Sequence, residues 1–402
     1  MEQQDLQPII TTYHNFLSTV NLQYIRPLMD QIEWEDRLIE IKGSKGVGKT
    51  TLILQHILRS FPNVDDALYV SLDNLWFKSH SLKELADFFY AQGGRFLFVD
   101  EVHYYPYWQA VLKNIYDEYP DMHIVFTGSS MLQLEAGEGD LSRRLIDYHL
   151  SGLSFREYLQ FEGVAIFSVY TLTDILQRHV QIAMAIKEQL GSIQPYFNAY
   201  LQRGYYPFYK DIRSGYEIRL QHIVNQILEC DYPLIDDVTL STIEKTKKML
   251  IVLAQSVPQV PTMSSLYGQL DTDRNQGMKM LNALHRADLL MLLSDNTKNL
   301  KSLGRPKKIF LNNTNLMYAL GANIEIGTVR ETFFLNQLLQ LFPICYPVKG
   351  DFLVDKQYLF EVGGASKTFD QIKDEPQSFL AVDNTEIGYK NRIPLYLFGM
   401  LY

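Results

Sequence analysis

Cysteine is nearly missing from this chain: 402 residues carry two, Cys230 and Cys345. Two isolated thiols without metal-like spacing are ordinary apolar fillers, not a disulfide frame or a zinc site. None of the nine histidines falls in an HExxH or CxxC…HxxxH pattern, so no protein-held transition metal is expected. Long apolar runs are missing as well. None approaches the ~18 residues of a membrane span, and the opening MEQQDLQPII lacks a basic stretch followed by an apolar core, so neither span nor secretory leader is indicated. A cytoplasmic protein without membrane partners is the expectation. Positive charge is in deficit, with 37 Lys+Arg against 46 Asp+Glu. The resulting net charge of −9 argues against a chain that coats nucleic acid along its whole surface.

What is present is an ordinary folded balance, 47% hydrophobic and 21% charged, in a chain too long for one core. The charge is also segregated. Residues 241–310 hold eleven Lys/Arg against five Asp/Glu, a local +6 that leaves −15 for the remainder. A chemical motif lies near the start. RLIEIKGSKGVGKTTLILQHIL runs from an apolar strand, Leu38 to Ile41, through a glycine-rich turn into an apolar-periodic helix. Its loop matches GxxxxGK[ST] in full, and strand before with helix after is the context that motif needs. Glycines let successive N–H groups turn toward phosphate oxygens at the positive end of the following helix. Gly43, Ser44, Lys45, Gly46, Val47, Gly48, Lys49, Thr50 and Thr51 are therefore the expected nucleotide-binding set, with Lys49 on the β- and γ-phosphates and Thr50 on Mg²⁺.

A second apolar strand, Phe96 to Val99, ends in Asp100-Glu101. A carboxylate at the carboxyl end of a parallel strand beside the loop can hold hydrated Mg²⁺, which assigns Asp100 to the metal and Glu101 to the attacking water. HIVFTGSSM supplies another strand that ends in hydroxyls, Thr127, Ser129 and Ser130, and Ser129 is placed to sense the γ-phosphate or the water. ALYVSLD (67–73) is a further strand, and helical segments alternate with all of these. The pattern is α/β, a doubly wound parallel sheet with ligand at the strand carboxyl ends.

Downstream, TLTDILQRHVQIAMAIKEQL and YEIRLQHIVNQILECD have helical periodicity, and the Tyr- and Phe-rich YFNAYLQRGYYPFYK between them reads as core more than as a base-stacking platform. From 241 the order is helix, short helix (262–270), longer helix (275–287) and two strands around KNLKSLGRPKK, which reads as a winged helix. Arg274, Asn275, Gln276, Lys279, Asn282 and Arg286 would face DNA, and Lys298, Lys301, Arg305, Lys307 and Lys308 would meet phosphates. The alternative is a wing that docks on protein.

GSKGVGKTT, FVDEVH, VFTGSS and LSRRLIDYHLSGLSFREYL together resemble the prokaryotic AAA-superfamily ATPases that carry a C-terminal domain of unknown function. RGYYPFY (203–209) and residues 349–402 extend the resemblance over most of the chain. It implies ATP with Mg²⁺, a helical lid behind the sheet, Arg143 or Arg144 as charge sensor or arginine finger, and a homo-oligomer as one arrangement. It also implies a tail similar to a PD-(D/E)xK nuclease core, with Glu331 on a helix, Asp351 and Glu361 on a hairpin, and Gly363 where the lysine should stand. The missing lysine favours a degenerate docking or DNA-clamping module, unless Lys367 folds back. The expected domains are 1–155 (ATPase core), 156–235 (lid), 236–322 (winged helix) and 323–402 (α+β tail). Three functions stand open: an ATPase coupled to DNA or protein docking, a slow nucleotide-dependent switch, and an ATP-gated nuclease.

Overall fold

Four short, mostly apolar runs, LIEIK, ALYVS, FLFVD and HIVFT, pair side by side because each is buried along most of its length and only a covered parallel sheet buries both faces. A computed structural model describes residues 3–128, 141, 143–212, 214–255, 263–295, 306–321 and 324–402. Chain contacts divide it into two compact units, Met1–Ser151 with Glu229–Asp237, and Gly152–Leu228 with Val238–Tyr402.

The first unit opens with α1 (Gln3–Thr19), then β1 (Leu38–Lys42), α2 (Lys49–Ser60), β2 (Ala67–Ser71), α3 (Leu82–Ala91), β3 (Phe96–Asp100), α4 (Trp108–Glu118), β4 (His123–Thr127) and β5 (Ile146–His149). The strand order is β2-β3-β4-β1-β5, and every pairing is parallel. Only β5, the polar edge strand IDYH, is largely exposed. Leu38, Val70, Leu97, Val99, Ile124 and Phe126 form one core with residues of α3 and α4. Ser81 and Glu84 close a capping box that starts α3. Helix α1, which carries Pro8 inside it, has no counterpart in the sequence-based reading. It is nevertheless tied down, with Leu6 and Ile9 in the core and the Tyr13 hydroxyl donating to the Val64 carbonyl at 2.8 Å.

The second unit begins with α5 (Phe155–Phe161), α6 (Leu172–Leu190), α7 (Gln194–Arg203) and α8 (Tyr216–Gln226). The aromatics of RGYYPFY are core here: Tyr205, Tyr206 and Tyr209 are all buried. Residues 229–237, including the short α9 (Tyr232–Ile235), belong to the first unit. Then come α10 (Leu240–Gln255), α11 (Met263–Gln269), α12 (Arg274–Arg286) and an antiparallel pair, β6 (Leu290–Leu293) with β7 (Lys308–Leu311). Three helices followed by two paired strands is the order expected for a winged helix. After helices Thr314–Leu320 and Ile326–Leu339, β8 (Ile344–Cys345), β9 (Phe352–Val354), β10 (Tyr358–Gly363), β11 (Ser378–Val382) and β12 (Arg392–Pro394) form a second sheet of order β12-β11-β10-β9-β8. Its core centres on Phe334, whose ring lies 4.8 Å from Phe398, 5.0 Å from Phe360 and 5.3 Å from Phe352. The apolar C-terminal run reads as strand, yet only Arg392–Pro394 is one; Leu395–Met400 is a 3₁₀ turn with all six residues buried. Burial on every side removes the alternation that would have told the two apart. Among the described residues, no helix is long and apolar enough to cross a membrane.

Candidate active site

In a parallel sheet all carboxyl ends lie at one edge, and β4 stands between β1 and β3. The loop after β1, Asp100-Glu101 after β3 and Thr127 at the end of β4 must therefore meet. The loop owes its path to glycine. A Cβ on Gly43, at φ +149, would sit 2.2 Å from the Leu150 carbonyl oxygen, and Gly48, at φ +102, caps α2 in a conformation that L side chains rarely adopt. Arg26 braces the same loop from below, donating to the carbonyls of Val47 at 3.2 Å and Ser151 at 2.9 Å.

Lys49, buried at the start of α2, donates to the carbonyls of Gly43 at 2.8 Å and Ser44 at 3.2 Å. Thr50 Oγ1 donates to Asp100 Oδ2 at 2.6 Å. The same oxygen accepts the Tyr69 hydroxyl at 2.7 Å, while Asp100 Oδ1 accepts Thr127 Oγ1 and, at 3.2 Å, the Glu101 amide. Asp100 is 2% exposed, and both of its oxygens are committed to hydrogen bonds. Burial and the charge of Asp100 push the Tyr69 phenol far above its ordinary value, so it stays a donor. Glu101 sits in left-handed backbone, φ +55, held by its amide bonds to Asp100 Oδ1 and to Thr127 Oγ1 at 3.1 Å. Burial raises its carboxyl above the usual range, Lys49 draws it partly back, and Asp100 raises it further. A cavity of about 510 Å³ opens beside Thr50, Asp100 and Glu101 toward α1 and the end of β2.

A hydroxyl and a carboxylate at hydrogen-bond distance are two hard oxygen donors, the set that Mg²⁺ takes when phosphates and waters complete its shell. Among the described residues, no three His, Cys, Asp or Glu side chains are arranged to hold a metal by themselves. Ser129 lies outside the described residues, as do Lys298, Lys301 and Arg305. Arg144 is engaged on α4, its Nε 3.2 Å from Asp117 Oδ1, whereas Arg143 is exposed. Lys45 points to Asp231 and Tyr104, two residues that the sequence does not connect to the loop.

In the second unit, α12 buries Gly277, Met280, Leu281, Ala283 and Leu284 and exposes Arg274, Asn275, Lys279 and Asn282, with Arg286 half-buried. Lys307 pairs with Asp295 at 3.4 Å, and Lys308 turns to Glu331 in an ion pair. Lys308 is thus committed to a carboxylate of its own unit. The tail residues do gather. Glu361 is 1% exposed, with Oε1 2.6 Å from Lys367 Nζ and Oε2 without a hydrogen-bond partner among the described residues. Lys367 folds back over Gly363, where an added Cβ would meet its Cγ at 2.7 Å. Burial and the Asp351 charge raise Glu331, while Asp351 accepts the Val362 amide at 2.9 Å.

Residues 35–159 match the AAA_14 family model, described as an AAA domain. This segment is similar to an AAA domain of the P-loop type. The match spans the AAA domain from just before β1 through most of α5. Over 415 positions the chain is 25% identical to the uncharacterized protein MJ1637 of Methanocaldococcus jannaschii, covering 94% of this chain and 87% of that protein. Solved structures with some likeness include the Aeropyrum pernix ORC1 protein in complex with DNA (11% identity, 77% of this chain and 91% of that one, TM-score 0.33). Another is AMPPCP-bound DnaA from Aquifex aeolicus (14%, 71% and 89%, TM-score 0.27). Those TM-scores are too low to bear on function.

The residues around the AAA domain's loop that sequence reasoning misses are Arg26, Tyr69, His103 and Asp231. Tyr69 lies inside a strand with no local mark, and Asp231 is more than a hundred residues from its partners, so neither carries a signal in sequence. His103 comes two positions after Glu101, and that proximity to the acidic strand end is the one signal that could have found it.

Proposed function

We propose that this chain binds Mg-ATP at residues 43–51 and hydrolyses it to ADP and phosphate by direct attack of water, passing the nucleotide state to a DNA- or protein-docking surface in the second unit. The observation that carries the reading is the 2.6 Å contact between Thr50 and Asp100 with Glu101 next in chain, at the edge where the loop and two strand ends meet. Lys49 now rests on two carbonyls of its own loop, and phosphate oxygens would replace them as acceptors with stronger, charge-assisted bonds. Thr50 and Asp100 would hold Mg²⁺, which supplies charge neutralisation on the phosphates. Glu101, with its carboxyl raised by burial, is a better proton acceptor near neutral pH than an ordinary glutamate, and it orients the water. Arg143, exposed where Arg144 is engaged by Asp117, takes the developing charge. In the second unit the exposed Arg274 and Lys279 support contact with phosphates, by charge more than by base reading.

The test is steady-state phosphate release with parallel binding of a fluorescent ATP analogue. Wild type should turn over; Glu101→Gln should bind nucleotide but lose ~10²-fold or more in kcat; Lys49→Ala should lose binding. Release from wild type no faster than from Glu101→Gln, with binding intact, would instead identify a persistent nucleotide switch.

A further inference from the structure

The segment 229–237 is a nine-residue excursion: the chain on either side belongs to the second unit, while these residues pack with the ATPase domain. A single π-helical turn, Ile227–Asp231, carries it in, and Ile235 packs against the domain's core. Such wide turns insert a residue into a helix and redirect the side chains beyond the insertion. This one delivers Asp231, a carboxylate 1% exposed.

We propose that Asp231 is a positioning residue for ATP hydrolysis, which aims Glu101 through the His103 ring and anchors the phosphate loop through Lys45. The inference rests on the ATPase reading above. A buried carboxylate persists only when it is paired, and Asp231 has three partners. Its Oδ1 accepts the Tyr104 hydroxyl at 2.9 Å and lies 3.5 Å from His103 Nε2; its Oδ2 lies 3.7 Å from Lys45 Nζ. Burial works against its ionised form, but His103, Lys45 and Tyr104 outweigh it and hold the carboxyl below its ordinary value.

The His103 side chain is 1% exposed and faces a carboxylate from each nitrogen, with Nδ1 3.4 Å from Glu101 Oε2. A ring held at both ends has one orientation, which is how a carboxylate behind an imidazole normally acts on the group in front of it. These distances are longer than tight hydrogen bonds, as expected of an active site without its substrate. The Glu101 backbone is already pinned by Asp100 and Thr127, so its side chain is the remaining freedom, and His103 is the group that limits it. Lys45 is the one lysine of the loop besides Lys49, and its 3.7 Å approach to Asp231 ties the loop to the same anchor. A single buried carboxylate thus spans the phosphate side and the water side of the site.

The experiment uses the full chain. Phosphate release and affinity for a fluorescent ATP analogue are measured for wild type, Asp231→Asn, His103→Asn, their double variant, and Asp237→Asn as a control that removes a charge from an exposed position of the same segment. Asp231→Asn and His103→Asn should each lower kcat by ~10-fold or more while affinity moves by less than ~3-fold. The double variant should lose no more than the worse single, since both cut one chain of contacts. Asp237→Asn should match wild type. Should Asp231→Asn fail to fold, His103→Asn cuts the same link while leaving Tyr104 and Lys45 on Asp231, and carries the same expectation. Turnover within ~2-fold of wild type in His103→Asn, affinity that falls in step with kcat, or losses that multiply in the double variant would each overturn the proposal. No turnover from wild type would sink the ATPase reading and this proposal with it, an outcome distinct from turnover that the variants leave unchanged.

Discussion

At the scale of single residues, some buried polar side chains of this protein are satisfied by partners far away in sequence. Asn315 is the fullest case. It is 0% exposed, its Oδ1 accepts the Tyr205 amide at 2.9 Å and the Tyr216 hydroxyl at 2.6 Å, and its Nδ2 donates to the carbonyls of Tyr200 at 3.2 Å and Leu201 at 3.0 Å. An asparagine offers two acceptor and two donor sites, and all four are used. Asn315→Leu keeps the branched shape, with bulkier methyl groups, but strands those partner groups in the core. The expected loss is about 3 kcal/mol or more, from at least two unsatisfied buried groups, read as a lower urea midpoint by circular dichroism. A change under about 0.5 kcal/mol would mean that water replaces the side chain. In the sequence Asn315 is one polar residue of NNTNLMYAL with nothing to single it out.

At the scale of elements, β1 carries an internal conflict. Glu40 lies in the middle of a strand covered on both faces and is 0% exposed, and among the described residues its carboxylate has no hydrogen-bond partner beyond the ion pair with Lys42, whose Nζ is 3.4 Å from Oε2. Burial raises its pKa to about 7, with Lys42 offsetting part of the shift and Asp147 adding to it. A glutamate raised in the folded state favours folding most when protonated. Its contribution is therefore complete below its unfolded value near 4.5 and is lost as pH rises through about 7. The loss across that window should be at most about 3 kcal/mol. Glu40→Gln should flatten that slope and raise stability at pH 8, measured by urea unfolding from pH 5 to 8. An equal slope in both proteins would show that Glu40 is charged and solvated despite its place. Helix α12 is the opposite kind of element: its apolar residues at helical spacing and its exposed Arg274 and Lys279 agree with what the sequence displays.

At the scale of the whole molecule, net charge and local charge point different ways, and the second unit is where that matters. If α12 is the docking face, Arg274→Ala with Lys279→Ala should weaken duplex DNA binding and lower its dependence on salt by roughly one to two phosphate contacts. Fluorescence anisotropy over a salt series measures both, and unchanged slopes would move the surface elsewhere or to a protein partner. The sequence by itself determined the sheet and the phosphate loop, because strand periodicity, glycine spacing and the Asp100-Glu101 strand end are local properties of contiguous residues. It also located the helices and strand pair of residues 240–311, again by local period. Only the tertiary structure decided which distant groups complete the site: Tyr69 on Asp100, Arg26 under the loop, Asp231 behind His103 and Lys45. It decided too that Lys367 fills the space left by Gly363 and reaches Glu361, and that Lys308 turns to Glu331. These pairings depend on where the chain returns after loops and whole helices, and such long-range closures leave no period or spacing in the sequence to be read.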